Sequence, residues 1–111
     1  AEQWLMIDLG GPQTIGAIRL LVGQWPAGLT SHQLFAAGPD GAMRLLVEFQ
    51  EYTRDYDLLE YLPAEPLSGI QYIRVVTLDS PAWVAWREIE VLAPMLPTPT
   101  VTVSPDLTPT P

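Results

Sequence analysis

Aromatic and hydrogen-bonding side chains sit together in one short stretch of the sequence, Gln24-Trp25-Pro26-Ala27-Gly28. Pro and Gly predict a loop here, and Pro26 stiffens it. We therefore expect Trp25 near a loop tip. A large apolar ring exposed there lowers solubility unless it covers another group. A rigid indole can stack on the C–H face of a sugar or fold back onto the core, and the sequence leaves both interpretations open.

Four other side chains are candidates for a ligand site around Trp25. Gln24 precedes the tryptophan, and His32 follows the loop closely; both can hydrogen-bond to hydroxyl groups. Trp83 lies in a second predicted loop, and Arg54 lies in the connection between the fourth and fifth apolar runs. Two of them also have an interpretation without a ligand: core packing for Trp83 and a solvated surface position for His32.

Catalytic chemistry has little support in this sequence. The chain has one histidine, His32, and no cysteine, which excludes thiol catalysis and zinc-thiolate sites. Ser31 and Asp40 do not complete a triad with His32, because adjacent residues of a strand point to opposite faces. No nucleophile elbow, phosphate loop or zinc-protease motif occurs, and nothing pairs two carboxylates as glycoside hydrolysis requires. We predict a non-catalytic protein without a cofactor.

The charge balance excludes several classes of partner. Thirteen acidic residues face five arginines and no lysine, which gives a net charge of −8. Nucleic acids and anionic membranes need a basic face, so neither is expected as a partner. Membrane insertion is not expected either, because no apolar run reaches the ~18–20 residues of a span. The acids between 48 and 65 predict a solvated edge, since Asp55-x-Asp57-x-x-Glu60 lacks the glycine and spacing of a calcium loop.

Seven short apolar runs, separated by turn residues, must position these side chains. No helical stripe of 10–15 residues interrupts them, and this spacing predicts an antiparallel sandwich or barrel. The Gly38-Pro39-Asp40-Gly41 sequence predicts a turn, because Pro presets φ and Asp-Gly tolerates positive φ. The runs are 3–9, 14–23, 31–37, 43–49, 57–62, 70–78 and 84–92.

The C-terminal stretch differs in composition from the rest of the chain. Residues 97–111 contain five Pro and five Thr with a single charge, so they cannot bury enough surface to offset their ordering entropy. We predict one domain over residues 1–94 and an extended, disordered Pro/Thr linker over 95–111. Such linkers join the modules of exported proteins. We therefore expect a secreted or cell-surface location, and the absence of cysteine fits a bacterial source.

The order of short motifs resembles that of discoidin domains, also called coagulation factor V and VIII type C domains. No single motif is specific, but five occur in the family's order across residues 3–93. They are Trp4-Leu5-Met6-Ile7-Asp8-Leu9-Gly10, the run 15–22, the run 35–41 ending in Pro39-Asp40-Gly41, Gln71-Tyr72-Ile73-Arg74-Val75, and Ala85-Trp86-Arg87-Glu88-Ile89-Glu90-Val91.

The resemblance implies a jelly-roll-like β-sandwich of the galactose-binding-like class. Domains of the family open with a further strand and binding loop, so this chain is expected to lack its first strand. The loop around Trp25 matches one of the family's ligand-contacting loops. Bacterial relatives hold a structural Ca²⁺ through an early Asp and a Glu that matches Glu88. Of these two residues only the Glu, Glu88, is present here. The resemblance therefore implies a structural Ca²⁺ only for a complete domain.

Two functions remain open at this point. The first is a carbohydrate-binding or adhesion module of a larger exported bacterial protein, with a glycan or cell-surface ligand and further domains reached through the linker. The second is a structural or protein–protein adhesion spacer with no small-ligand site. An exposed Trp25 beside His32 favours the first, and a Trp25 packed inside favours the second. A membrane-binding type C domain is disfavoured by the net charge.

Overall fold

Every regular element in the structure is a β-strand. The computed structural model describes residues 3–80 and 83–94, and within these ranges no helix is long and apolar enough to cross a membrane. The predicted all-β class is confirmed. In chain order the strands are β1 (Gln3–Ile15), β2 (Ala17–Trp25), β3 (Gly28–Ala37), β4 (Arg44–Thr53), β5 (Leu58–Tyr61), β6 (Leu67–Asp79) and β7 (Trp83–Leu92).

The strands form two antiparallel sheets. The larger has the order β1-β6-β3-β4, and the smaller has the order β5-β2-β7. Most paired strands are distant in sequence: β1 pairs with β6, which places Gln3 opposite Thr77. Among the strands of the described residues, the one hairpin between consecutive strands that share a sheet joins β3 to β4. It contains the predicted turn, in which the Gly41 N–H donates to the Gly38 carbonyl at 3.0 Å.

The core lies between the two sheets, where alternate residues of each strand meet. Side chains alternate between the two faces of a strand, so every second one points inward. Burying an aliphatic side chain fully contributes about 1.5–3 kcal/mol to the free energy of unfolding. The smaller sheet supplies Ile18, Leu20, Val22 and Leu59, and the larger supplies Leu34, Ala36, Ile70, Ile73 and Val75.

Several predicted strand boundaries are wrong, namely the starts of β2, β3 and β6 and the ends of β1 and β4. The first strand, predicted to end at residue 9, continues through Gly10-Gly11-Pro12 to Ile15, with its pairing to β6 interrupted between Asp8 and Gln13. The loop predicted over residues 24–28 contracts to positions 26 and 27. Its flanks are held by ladders, Trp25 opposite Trp83 on β7 and Gly28 opposite Thr53 on β4. Cross-strand hydrogen bonding therefore overrides the local loop preference of these residues.

The predicted linker over 95–111 lies outside the described residues, so its extended character and the domain boundary at residue 94 remain predictions. Residues 93 and 94 follow β7 and pack closely on the β1–β2 turn. A Cβ at Gly16 would lie 2.5 Å from the Pro94 Cα, so glycine is needed there for this approach.

Candidate functional site

Trp25 lies at one end of the sandwich, on the last residue of β2. Its side chain is 79% exposed, and its backbone forms the final pair of the β2–β7 ladder with Trp83. The following Trp25–Pro26 peptide bond is cis. Because the backbone is fixed by the ladder and by Pro26, the indole presents a flat apolar surface to solvent at a defined position.

A buried polar cluster supports this end from below. The Gln24 side chain is 1% exposed, and its Nε2 donates to the Pro26 carbonyl at 3.2 Å. Its Oε1 accepts from the Thr53 hydroxyl at 2.6 Å, and the Thr53 and Thr30 hydroxyls are 2.8 Å apart. Since Thr53 has one proton and donates it to Gln24, Thr30 donates to Thr53. The cluster thus joins β2, β3 and β4 under the short loop that follows Trp25.

An ion pair lies next to this cluster. Asp55 accepts two hydrogen bonds from Arg87, from Nε at 2.9 Å and from Nη2 at 2.7 Å, and one from the Gln24 backbone N–H at 3.1 Å. Arg87 holds the pKa of the Asp55 carboxyl below its usual value, and Asp55 in turn raises the pKa of Arg87. A Cβ at position 23 would lie 3.1 Å from the Arg87 Cγ, so Gly23 leaves room for this side chain.

The connection between β4 and β5 adds a second exposed ring. Tyr56 is 65% exposed, and the Arg87 guanidinium lies 4.1 Å from its ring centroid. Its backbone has a φ of 70°, and its N–H donates to the Val22 carbonyl at 2.8 Å. The Val22 N–H donates to the Asp57 carbonyl, also at 2.8 Å. The connection is therefore fixed on β2, three residues before Trp25.

The structure corrects the expectation that His32 faces a ligand beside Trp25. His32 is 0% exposed because its position on β3 points into the core, where its ring edge meets Trp86 at a centroid distance of 4.8 Å. Nδ1 lies 3.0 Å from the Thr77 hydroxyl, and Nε2 has no hydrogen-bond partner among the described residues. Burial lowers the pKa of His32 to about 4, so the ring is neutral at pH 7.

The expectation for Gln24 also needs correction. Both ends of its side chain are engaged in internal hydrogen bonds, and the residue is buried. It can position Trp25, but it has no surface to offer a ligand. The sequence could not show this, because its partner Thr53 lies on another strand, 29 residues away.

That Trp83 and Arg54 contact a ligand remains a prediction. The Trp83 backbone lies opposite Trp25, which puts the residue at the same end of the sandwich. Arg54 is exposed on the β4–β5 connection, and its Nε is 3.9 Å from the Asp57 carboxylate. The connection that carries Arg54 is the one that places Asp55 and Tyr56 beside β2.

No metal site emerges around Glu88. It is exposed on β7 opposite Leu21, and the described part of the chain has no cluster of three or more His, Cys, Asp or Glu residues suited to a metal ion. Structural Ca²⁺ therefore stays a prediction from the resemblance.

Sequence reasoning missed Asp55, Tyr56 and Arg87. Asp55 was expected among solvated acids, and Arg87 has no local pattern that sets it apart. The two are 32 residues apart, and they meet because β7 pairs with β2 and the β4–β5 connection is hydrogen-bonded to β2. An aromatic residue in a short polar connection, as at Tyr56, is the one local signal that was available.

Comparison with known proteins gives information about the fold. No protein-family model matches the sequence, and no curated protein matches it significantly. Solved structures do match. One is CBM32-1 from a family 31 glycoside hydrolase of Clostridium perfringens, with a TM-score of 0.68 and 16% identity over 80% of this chain and 68% of that one.

Two further structures have the same architecture. The family 32 CBM of C. perfringens NanJ, solved in complex with galactose, gives a TM-score of 0.67 at 17% identity over 82% of this chain and 66% of that one. An F5/8 type C domain from Bacteroides fragilis gives 0.63 at 16% identity over 86% of this chain and 67% of that one. This chain thus spans about two thirds of each domain, and the expected resemblance is confirmed at the level of fold. The chain has the discoidin-like, galactose-binding-like β-sandwich fold of the F5/8 type C and family 32 carbohydrate-binding domains.

Proposed function

We propose that this chain is a non-catalytic carbohydrate-binding module of a larger exported protein, with its sugar site at the Trp25 end of the sandwich. The observation that carries the proposal is the 79% exposure of an indole whose backbone is fixed by a ladder pair and by Pro26. A rigid aromatic ring loses little entropy on binding, and its apolar face suits the C–H face of a sugar. The galactose complex of the NanJ domain, which shares the fold, supports a glycan as the ligand class.

The polar groups at this end suit a hydroxyl-bearing ligand. The Asp55 and Arg87 side chains are 32% and 42% exposed, so each keeps hydrogen-bonding capacity toward solvent while the other neutralises its charge. Tyr56 adds a hydroxyl and a second exposed ring. One stacked ring contributes about 0.5–1.5 kcal/mol beyond its buried area, and each exposed hydrogen bond contributes about 1 kcal/mol. The dissociation constant should then lie in the millimolar to high-micromolar range.

A structural or protein-adhesion spacer is the second candidate. The burial of His32 favours it, since that side chain was expected to orient sugar hydroxyls and is instead part of the core. In this case Trp25 contacts a protein surface, and no saccharide competes for it.

A glycan array followed by titration of the best hit decides between the two. Trp25→Ala should abolish detectable binding, because the stacking surface is lost. Trp4→Ala is the matched control: it removes another exposed indole, 58% accessible, from the outer face of the larger sheet. If the intact protein binds no glycan, the spacer function takes precedence. If it binds and both variants lose binding equally, the sugar site does not lie at Trp25.

A further inference from the structure

A groove continues from Trp25 along the outer face of the smaller sheet. Side chains of β2 alternate, so the strand presents every second residue to this face, while Leu20 and Val22 between them are buried in the core. β2 is the central strand of its sheet, with β5 and β7 paired on its two sides, so the floor of the groove does not depend on a sheet edge. The residues of β2 along the groove are Arg19, Leu21, Gly23 and Trp25.

Polar groups lie in the groove at Gly23, two residues before Trp25. Arg87 is the extra residue where the β2–β7 register shifts, and such a bulge re-aims its side chain. Its Cγ lies 3.1 Å from where a Cβ of Gly23 would be, so the arginine takes the space of a side chain at this position and forms part of the floor. Its guanidinium contacts the Tyr56 ring and the Asp55 carboxylate, and both charged groups stay partly exposed.

An apolar stretch follows two residues further along β2. In the cross-strand registers Leu21 lies between Leu58 of β5 and Glu88 of β7. A depression of about 200 Å³ opens here, lined by Leu21 and Leu58 together with Arg19, Glu88 and Glu90. A sugar ring has an apolar C–H face and a rim of hydroxyl groups. An apolar floor bordered by a few polar side chains complements both.

The length of the groove exceeds that of one sugar. A strand rises about 3.3 Å per residue, so the four steps from Leu21 to Trp25 span roughly 13 Å. A single pyranose ring covers only part of this distance, which leaves room for consecutive sugars of one chain. Beyond Leu21 the groove reaches a charged row, in which Arg19 contacts Glu60 at 3.3 Å and Glu90 at 3.5 Å.

The charges around the groove favour a neutral ligand. Both arginines of the groove already contact carboxylates, so neither is free to neutralise an acidic sugar. Carboxylates outnumber these arginines by four to two, and the chain as a whole has a net charge of −8. An anionic saccharide would therefore be repelled. The four carboxylates are those of Asp55, Glu60, Glu88 and Glu90.

We propose that this groove binds a neutral, linear oligosaccharide of at least three sugars along its length. The first sugar stacks on Trp25, and the second lies against Arg87 and Tyr56. The third rests on Leu21 and Leu58. The inference depends on the proposed carbohydrate-binding function and specifies its ligand class, an extended chain rather than a single terminal sugar.

Chain length gives the first test. Isothermal titration uses β-1,4-linked galactose, glucose and mannose series of one to five units, and the trimer of the uronic acid that corresponds to the best series. In that series the trisaccharide should bind roughly tenfold more tightly than the monosaccharide, because it fills two further positions, and the uronic acid trimer roughly tenfold more weakly than the neutral one.

The outcomes separate this inference from the function on which it rests. No gain in affinity with length in any of the three series overturns the extended groove, while a glycan that still binds at Trp25 leaves the carbohydrate-binding function in place. Equal affinity for the neutral and the acidic trimer overturns the neutral ligand class. If no saccharide binds, on the array or in the three series, the carbohydrate-binding function fails and the inference with it.

Leu58→Asp tests the position of the third sugar. A carboxylate on the apolar floor should weaken trisaccharide binding roughly tenfold and leave monosaccharide binding unchanged. Leu45→Asp is the matched control: this leucine of β4 is 50% exposed, against 44% for Leu58, and lies on the other sheet. It should bind both sugars as the unmodified protein does. An undiminished trisaccharide affinity in folded Leu58→Asp, or an equal loss for both sugars, overturns the placement.

Nuclear magnetic resonance of the unmodified protein gives a readout that needs no variant. The methyl signals of Leu21 and Leu58 should shift when the trisaccharide is added and stay in place with the monosaccharide. The indole N–H signal of Trp25 should shift with both. Leucine signals that do not respond to a bound trisaccharide contradict the extended groove.

Discussion

Arg87 and Asp55 form a two-point ion pair, at 2.9 and 2.7 Å, that joins β7 to the connection between β4 and β5 beside Trp25. Asp55 also accepts the backbone N–H of Gln24, the residue before the tryptophan. Through these contacts one carboxylate fixes both the exposed Tyr56 ring and the strand end that presents Trp25. The site is therefore organised by a pair of residues that the local sequence does not connect.

Asp55→Asn should lower glycan affinity roughly tenfold, because the neutral amide loses the charge-assisted bonds that hold Arg87. Titration with the best glycan measures the change. Glu51→Gln, an exposed acid on β4, removes the same charge and should leave affinity unaltered. Since Arg87 lowers the folded-state pKa of Asp55 below its ordinary 3.8, the pair's stabilisation is present above that pH and is lost as pH falls through the folded-state pKa. If Asp55→Asn binds the glycan as tightly as the unmodified protein does, Asp55 does not contribute to the site.

Thr53→Val should destabilise the protein by about 1–3 kcal/mol, because Gln24 Oε1 and the Thr30 hydroxyl lose their buried partner without a change in side-chain shape. Urea denaturation measures the free energy of unfolding. Thr14→Val is the control: it makes the same replacement at an exposed position of β1 and should change stability by less than about 0.5 kcal/mol. If the two variants are equally stable, the buried cluster contributes nothing.

Acidification should destabilise the fold through His32. Its folded-state pKa is about 4, against 6.5 in the unfolded chain, so between these values only the unfolded state binds the proton. Stability is unaffected by His32 above pH 6.5 and decreases as pH falls toward 4, by up to about 3 kcal/mol at roughly 1.4 kcal/mol per pKa unit. Urea denaturation at a series of pH values measures this decrease.

His32→Phe separates the contribution of His32 from that of the carboxylates. The variant keeps an aromatic ring against Trp86 but cannot take up a proton. Its stability should be lower than that of the unmodified protein at pH 7, since Thr77 loses its partner, and should depend less on pH between 6.5 and 4. Parallel pH profiles for the two proteins would show that His32 does not titrate as expected.

Trp86→Ala should destabilise the protein by ~3–5 kcal/mol, because the ring packs between the sheets against His32 and leaves a cavity when removed. Trp25→Ala should change stability by less than about 0.5 kcal/mol, since the indole is largely in solvent. Thermal and urea unfolding of both variants make the comparison. Comparable losses would identify Trp25 as a packing residue and count against the glycan site.

Local sequence patterns were sufficient for the architecture. Period-two alternation and the turn residues between the runs predicted seven strands in the right order, and the turn at Pro39-Asp40-Gly41 was confirmed. These signals act between residues close in the chain, so a single sequence contains them. Trp25 was expected in the loop itself, whereas the structure places it on the last residue of β2, next to Pro26.

The inward or outward direction of each side chain, and every partner across the sheets, was decided by the tertiary structure. Alternation along β3 fits either phase, with Leu34 or Phe35 inside, and only packing against the smaller sheet selects Leu34 and buries His32 with it. Asp55 and Arg87 meet because β7 and the β4–β5 connection are both hydrogen-bonded to β2, which brings together three distant parts of the chain. The sequence by itself determined the fold class and put Trp25 next to Pro26, but it left open whether the indole faces solvent, which the structure shows. The residues around that ring were set by long-range strand register, because no local pattern specifies which strands pair.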